Sequence, residues 1–386
     1  MFERTVVGSV PRKHHIQHKD AAGQLLWEEC ITQDGFEGPY TIAYHQHAPQ
    51  RQLFSGTKHG WPKAIGVSDV PLLKRHFLTQ SLQPANGPQL NTRLPLLTNA
   101  DLTFGVVKPT AEDPVYFNNA DGDDLFYIHE GTGTFRTNFG DLKYGPLDYV
   151  FMPRGTIYRA IPDAGVAQHW VFIELKHGLH IPSQWRNPVG QLRMDAPFCH
   201  RDFRKVEFRG PLDEGIHELV VKRHEAFHGY SLQQTPLDIV GWDGSVYPWV
   251  FPILNFQARA GLVHLPPTWH GTFATKGALI CSFVPRMVDF HPEAIPCPYP
   301  HSSVDVDEIL FYCKGNFISR KGVGPGSVSF HPAGIPHGPH PGAYEGSVGH
   351  KETNELAVML DCALPLKPTA QALGIEDSKY MNSFVP

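Results

Sequence analysis

The stretch Pro298-Tyr-Pro-His301-Ser-Ser-Val-Asp-Val-Asp307-Glu308-Ile-Leu-Phe-Tyr-Cys-Lys-Gly315, continued by Gly326-Ser-Val-Ser-Phe-His331-Pro-Ala-Gly334-Ile-Pro-His337, decides how the chain is read. Each part sets a short run of apolar and β-branched residues against a Gly or Pro turn, the pattern of paired strands. An earlier stretch echoes both parts. Asp123-Asp124-Leu-Phe-Tyr-Ile-His-Glu-Gly131 matches the run from Asp307 to Gly315. Gly145 through Pro153-Arg-Gly155-Thr-Ile-Tyr158 matches the run from Gly326 to His337. The first echo recurs after 184 residues (124 to 308) and the second after 179 (158 to 337). Two echoes in one order at nearly one spacing point to two copies of a single β unit.

Outward from these copies the same rhythm continues. Residues 98–176 hold LTFGVV, DLFYIHEG, GTFRTNF, LDYVFM and QHWVFIEL between Gly/Asp turns, which predicts a β-sandwich or barrel. Residues 178–216 read as loop, and strands return over 217–290 with HELVVKRH, WVFPILNF and ALICSFV. Residues 1–97 read as turn-rich β structure, with strand candidates at 25–31 and 40–45 and a Pro/Asn-rich connection over about 80–97. A short helix is expected over 367–374. The chain therefore divides into an N-terminal β-rich region (1–97) packed on a first unit (98–216), and a second unit (217–386).

Composition narrows the function. The 386 residues suffice for a sizeable core, and 41% are apolar, an ordinary globular share. The 35 Pro and 36 Gly exceed the usual background and fit many short strands. A net charge of -5 without a basic stripe argues against nucleic acid as a partner. The N-terminus lacks the apolar core of a secretory signal, and no run of about 18 apolar residues suggests a membrane span. Cys30, Cys199, Cys281, Cys297, Cys313 and Cys362 form no CxxC pair. Reduced thiols and a cytoplasmic location are the expectation.

The second copy holds metal-ligand residue types that the first lacks. Phe117 stands where His301 does, Asp124 for Glu308 and Tyr158 for His337. Two imidazoles and one carboxylate on one face of an octahedron leave positions for a substrate and dioxygen, which favours Fe(II). A structural zinc would want four protein ligands, although a zinc enzyme with this trio remains open by counting alone. His301 and Glu308 are an odd seven residues apart, so they do not share a face of one regular strand. Either His301 lies on the entry loop or a bulge interrupts the segment between them. Asp307 has the better parity, whereas Glu308 keeps the distance to Gly315 that Asp124 keeps to Gly131; register selects Glu308 and leaves Asp307 in reserve. A lone histidine beside a Pro/Gly turn is usually a surface residue, so the weight falls on the set of three.

These segments resemble the cupin superfamily, and more narrowly the homogentisate 1,2-dioxygenase family in its bacterial branch. Gly326-x5-Pro332-x-Gly334-x2-His337 matches the second cupin motif, and PYPHSSVDVDE, LFYCKGNFISRKG and SFHPAGIPHGPHPG resemble the dioxygenases. Upstream, DGDDLFYIHEG and GPLDYVFMPRG fit the family's first cupin. The resemblance implies a mainly β bicupin, with the first barrel metal-free. It implies Fe(II) on His301, Glu308 and His337, a second active-site histidine at His331, and a general base at His264 or His270. Ser303 and Phe317 stand where the family places a substrate-binding asparagine and tyrosine. The implied reaction opens the ring of homogentisate with both atoms of dioxygen, giving maleylacetoacetate, with His331 bonded to the substrate or to bound oxygen. Multimers are also implied. Two alternatives stand beside it: another hydroquinone such as gentisate, supported by Ser303 and Phe317, and a non-redox isomerase or sugar-binding cupin.

Overall fold

The computed structural model describes residues 3–261, 264–302 and 305–385. Ten strands carry the repeat. In the first copy they are β1 (Leu94–Thr98), β2 (Leu102–Val107), β3 (Asp123–Glu130), β4 (Asp148–Met152) and β5 (His169–Leu175). In the second they are β6 (Gly271–Thr275), β7 (Ala278–Phe283), β8 (Asp307–Lys314), β9 (Val328–His331) and β10 (Leu356–Cys362). Neighbours run β4-β3-β5-β2-β1 in one sheet and β9-β8-β10-β7-β6 in another. The architecture is mainly β, and this shared order of five is the repeated β unit that the echoes predict, in keeping with the cupin pair that the resemblance implies. Among the described residues no helix is long and apolar enough to cross a membrane.

Alternation along β3 and β8 builds two different interiors. Leu125 and Tyr127 point into an apolar core that also takes Ile309 and Phe311 of the second copy. The Tyr127 and Phe311 ring centroids lie 6.0 Å apart. Burying one such aromatic contributes roughly 2–3 kcal/mol, so this seam binds the copies firmly. The opposite face of β3 presents Phe126 and Ile128 to Phe135 and Trp170, which fill the first barrel. The opposite face of β8 presents Glu308, Leu310 and Tyr312 to a cavity instead. Both strands end on a glycine, Gly131 at φ +108° and Gly315 at φ +91°. A Cβ at Gly315 would lie 2.1 Å from the Asn354 carbonyl oxygen, so the turn requires glycine.

Several sequence expectations shift. The 80–97 connection carries the one-turn helix Gln89–Thr92 and β1, because Leu96 and Leu97 are buried on the sheet. The short C-terminal helix is present at Ala370–Leu373. Sheets also cross the expected divisions at 97 and 216. His217–Arg223 pairs with Tyr116–Asn119, and Trp249–Pro252 pairs with β4. Arg75–Phe77, from the N-terminal region, pairs with β9 of the second copy, and Lys367–Pro368 pairs with β1. The units are interlocked by exchanged edge strands.

In the first copy the positions that match His301, Glu308 and His337 are gathered around a cation from the chain itself. Tyr158 donates to Asp124 Oδ2 at 2.7 Å, and the Arg93 guanidinium lies 3.4 Å from Asp124 Oδ1 and 3.1 Å from the Tyr158 hydroxyl. Arg93 also stands over the Phe117 ring, 5.6 Å from its centroid. Removing one partner of a buried ion pair leaves an uncompensated charge. Arg93→Ala is therefore expected to cost about 3–5 kcal/mol in denaturant unfolding, while leaving metal content unchanged; a loss below about 1 kcal/mol contradicts this.

Candidate metal centre

The backbone brings the two outer histidines together. His301 N–H donates to His337 O at 2.8 Å, and His337 N–H donates to His301 O at 3.0 Å. In such an antiparallel pair both side chains leave on one face, and the rings stand with centroids 4.3 Å apart. His301 thus lies ahead of β8 on its entry segment, which resolves the odd spacing to Glu308. The alternative of a bulge within 302–307 involves Ser303 and Val304, which lie outside the described residues, as does the substrate role expected for Ser303.

Glu308 points between these rings. Its Oε2 is 3.8 Å from His301 Nε2, and its Oε1 is 3.5 Å from His337 Nε2. One ligand atom from each of the three residues lies within 4.8 Å of the others. Asp307 is turned away, accepting backbone N–H bonds from Ala333 and Leu366 at 2.7 Å each.

The tautomers are set for ligation. His301 Nδ1 lies 3.1 Å from the Tyr299 carbonyl oxygen and His337 Nδ1 lies 3.4 Å from that of Ile335. Protons on Nδ1 leave both Nε2 lone pairs directed at the cluster. His337 Nε2 is buried with no hydrogen-bond partner. An orphaned imidazole nitrogen facing a buried carboxylate is what a metal would satisfy, and the N,N,O donor set fits a divalent transition ion. Burial alone would push the Glu308 carboxyl up; the facing imidazoles of His301, His331 and His337 outweigh it and hold the group well below the usual range. The Glu308 carboxylate in turn raises His301.

His331 sits behind the carboxylate rather than on the cavity wall. It is fully buried opposite Glu308 on the adjacent strand. Its Nδ1 is 2.6 Å from Glu308 Oε1 and its Nε2 is 3.0 Å from the Tyr380 hydroxyl. Burial lowers its pKa to about 3, so the ring is neutral. Nδ1–H then donates to Glu308 and Nε2 accepts from Tyr380. With both nitrogens engaged, His331 has no position left for the substrate contact that the resemblance implied.

A cavity of about 300 Å³ opens beside His301 and Glu308. Its wall includes both expected base candidates and Phe317. His264 packs edge-on to Tyr299, and burial, then the charge of Arg286, lowers its pKa. His270 is buried against Phe283 with its Nδ1 unpartnered, and burial lowers it to about 3. Phe317 packs on Tyr312 with centroids 4.8 Å apart. Sequence reasoning missed Asp361 and Tyr380. Asp361 pairs with Glu308 across β10, and burial, then the Glu308 charge, pushes it up to about 7. The signal was present in the repeat, since Glu174 holds that place beside Asp124. Tyr380 comes from beyond both motifs and had no such signal.

Residues 103–253 match a family model described as homogentisate 1,2-dioxygenase N-terminal. A Saccharolobus solfataricus protein named as a candidate dioxygenase is 32% identical over 378 residues, covering 97% of this chain and 96% of that one. The chain belongs to the homogentisate 1,2-dioxygenase family. The homogentisate 1,2-dioxygenase of Pseudomonas putida is 28% identical over 276 residues, 67% of this chain, and the match spans 61% of the curated protein's length. A cupin 2 conserved barrel domain protein from Leptotrichia buccalis aligns over 77% of this chain and 99% of its own at 10% identity, with a TM-score of 0.37.

Two outcomes follow for this family member. His337→Ala is expected to abolish stoichiometric metal binding, and Tyr380→Phe to weaken it about 10-fold or more through the freed His331, as read by anaerobic metal titration. Unchanged affinity in Tyr380→Phe contradicts the relay. Because a proton on His301 competes with the ion, metal affinity should fall as pH drops through the raised His301 titration, above about 6.5. A flat pH profile of affinity contradicts that competition.

Proposed function

We propose that the chain is an Fe(II)-dependent ring-cleaving dioxygenase acting on a hydroquinone with an acidic side chain, with homogentisate as substrate and maleylacetoacetate as product. The observation that carries the reading is the orphaned Nε2 of His337 facing Glu308 and His301 at the edge of an aromatic-sized cavity. His301, Glu308 and His337 would hold the ion. Ferrous iron so held supplies open positions for a hydroquinone oxygen and dioxygen, with an electron path between them.

The chain's own groups do the rest. His264 on the cavity wall is held neutral by burial beside Arg286, leaving a lone pair to take the proton of the ring hydroxyl. His270 lies deeper, and its conjugate acid is too strong to make it an effective base near neutral pH. Phe283, Leu310, Ala357 and Met359 give the cavity apolar walls that exclude water and grip a ring. His331, with Tyr380 behind it, positions the Glu308 carboxylate.

Phe317 on the wall favours a second hydroquinone, such as gentisate, because it offers no hydroxyl to orient the substrate. Oxygen uptake by iron-loaded protein separates the readings. Homogentisate should be consumed one-for-one with dioxygen. No uptake with homogentisate beside brisk uptake with gentisate overturns the substrate assignment, and uptake with neither overturns the class. His264→Gln should lower kcat by about 100-fold or more with iron content retained, and His270→Gln by much less; the reverse order exchanges their roles.

A further inference from the structure

Three arginines line the cavity: Arg259, Arg286 and Arg320. Two of them are committed elsewhere. Arg286 Nη2 pairs with Glu355 Oε1 at 2.8 Å, and its Nη1 donates to the Val284 carbonyl at 3.0 Å. Arg259 stands between the rings of Trp185 and Trp269, 5.2 and 4.9 Å from their centroids, and its guanidinium reaches Asp195 Oδ2 at 3.5 Å. Arg320 differs. Its Nη1 donates to the Gly338 carbonyl, next to His337. Its Nε is buried without a hydrogen-bond partner. Among the described residues no carboxylate lies at ion-pair distance from it; its neighbours are the Tyr312 hydroxyl, within hydrogen-bond reach, the Tyr380 hydroxyl and, after these, the Glu308 carboxylate.

A guanidinium carries five N–H donors in a fork that fits a carboxylate. An enclosed cation with an unused donor costs stability unless something completes it. Such a group on the wall of a binding cavity is suited to an anionic partner that arrives with the ligand. We propose that Arg320 is the anchor for the substrate's carboxylate and so selects arylacetate-type acids over uncharged hydroquinones. This inference rests on the functional reading above. The carboxylate would take the free Nε edge, while the Gly338 bond fixes the guanidinium relative to the His337 loop. The ring would then occupy the same cavity, whose lining includes Leu310 and Met359 beside His301 and Glu308.

The test is anaerobic calorimetric titration of the iron-loaded protein, with homogentisate and with its uncharged amide as probes, so that binding is read without turnover. Arg320→Gln retains a donor for Gly338 and removes the charge; Arg320→Lys keeps the charge on a different shape, and thermal unfolding confirms that both fold. Arg320→Gln should weaken homogentisate about 100-fold or more and the amide less than about 3-fold, with Arg320→Lys in between. Equal affinity of wild type and Arg320→Gln for homogentisate overturns the anchor, even if oxygen uptake persists. A wild type that binds neither probe overturns the functional reading itself.

Discussion

Glu308 is a carboxylate removed from water, and the site is organised around that fact. An unpaired buried charge is costly enough to unfold a chain of ordinary stability. Its oxygens meet His331 at 2.6 Å, His337 at 3.5 Å and His301 at 3.8 Å. Each of those rings is itself constrained. His301 and His337 hold each other through a reciprocal backbone pair, and His331 is held between the carboxylate and Tyr380. The strands that deliver these groups are fixed in turn by the Tyr127–Phe311 seam between the copies.

The two copies solve the same problem in different ways. Where β8 offers Glu308 to imidazoles and a cavity, β3 offers Asp124 to Arg93 and Tyr158 in a barrel packed with Phe126, Phe135 and Trp170. A guanidinium is a permanent charge that fits a carboxylate by geometry, so Asp124 in the first copy has its counter-charge within the chain. The second is completed by imidazoles with one nitrogen left unsatisfied. Thus one copy supports the fold and the other keeps chemistry available.

Much of this was legible in the sequence because it is local. The strand rhythm, the turn glycines Gly131 and Gly315, and the ligand types at His301, Glu308 and His337 are short-range signals. The placement of His331 was not legible. Its residue type suits a substrate contact, and only the strand register opposite Glu308 turns it away from the cavity. Tyr380 and Arg93 reach their sites from far along the chain. The exchange of edge strands such as Arg75–Phe77 is likewise a long-range pairing, with no local residue pattern to announce it.

In the proposed function, this cluster directs both atoms of dioxygen into one aromatic substrate. The most direct measurement is mass spectrometry of the product formed from homogentisate under isotopically labelled dioxygen in ordinary water. The expected outcome is a ring-opened product carrying both labelled atoms when read before its ketone exchanges with water, with no hydrogen peroxide released. A ring-opened product with no label in its new carboxylate, or labelled peroxide beside an intact ring, would contradict it.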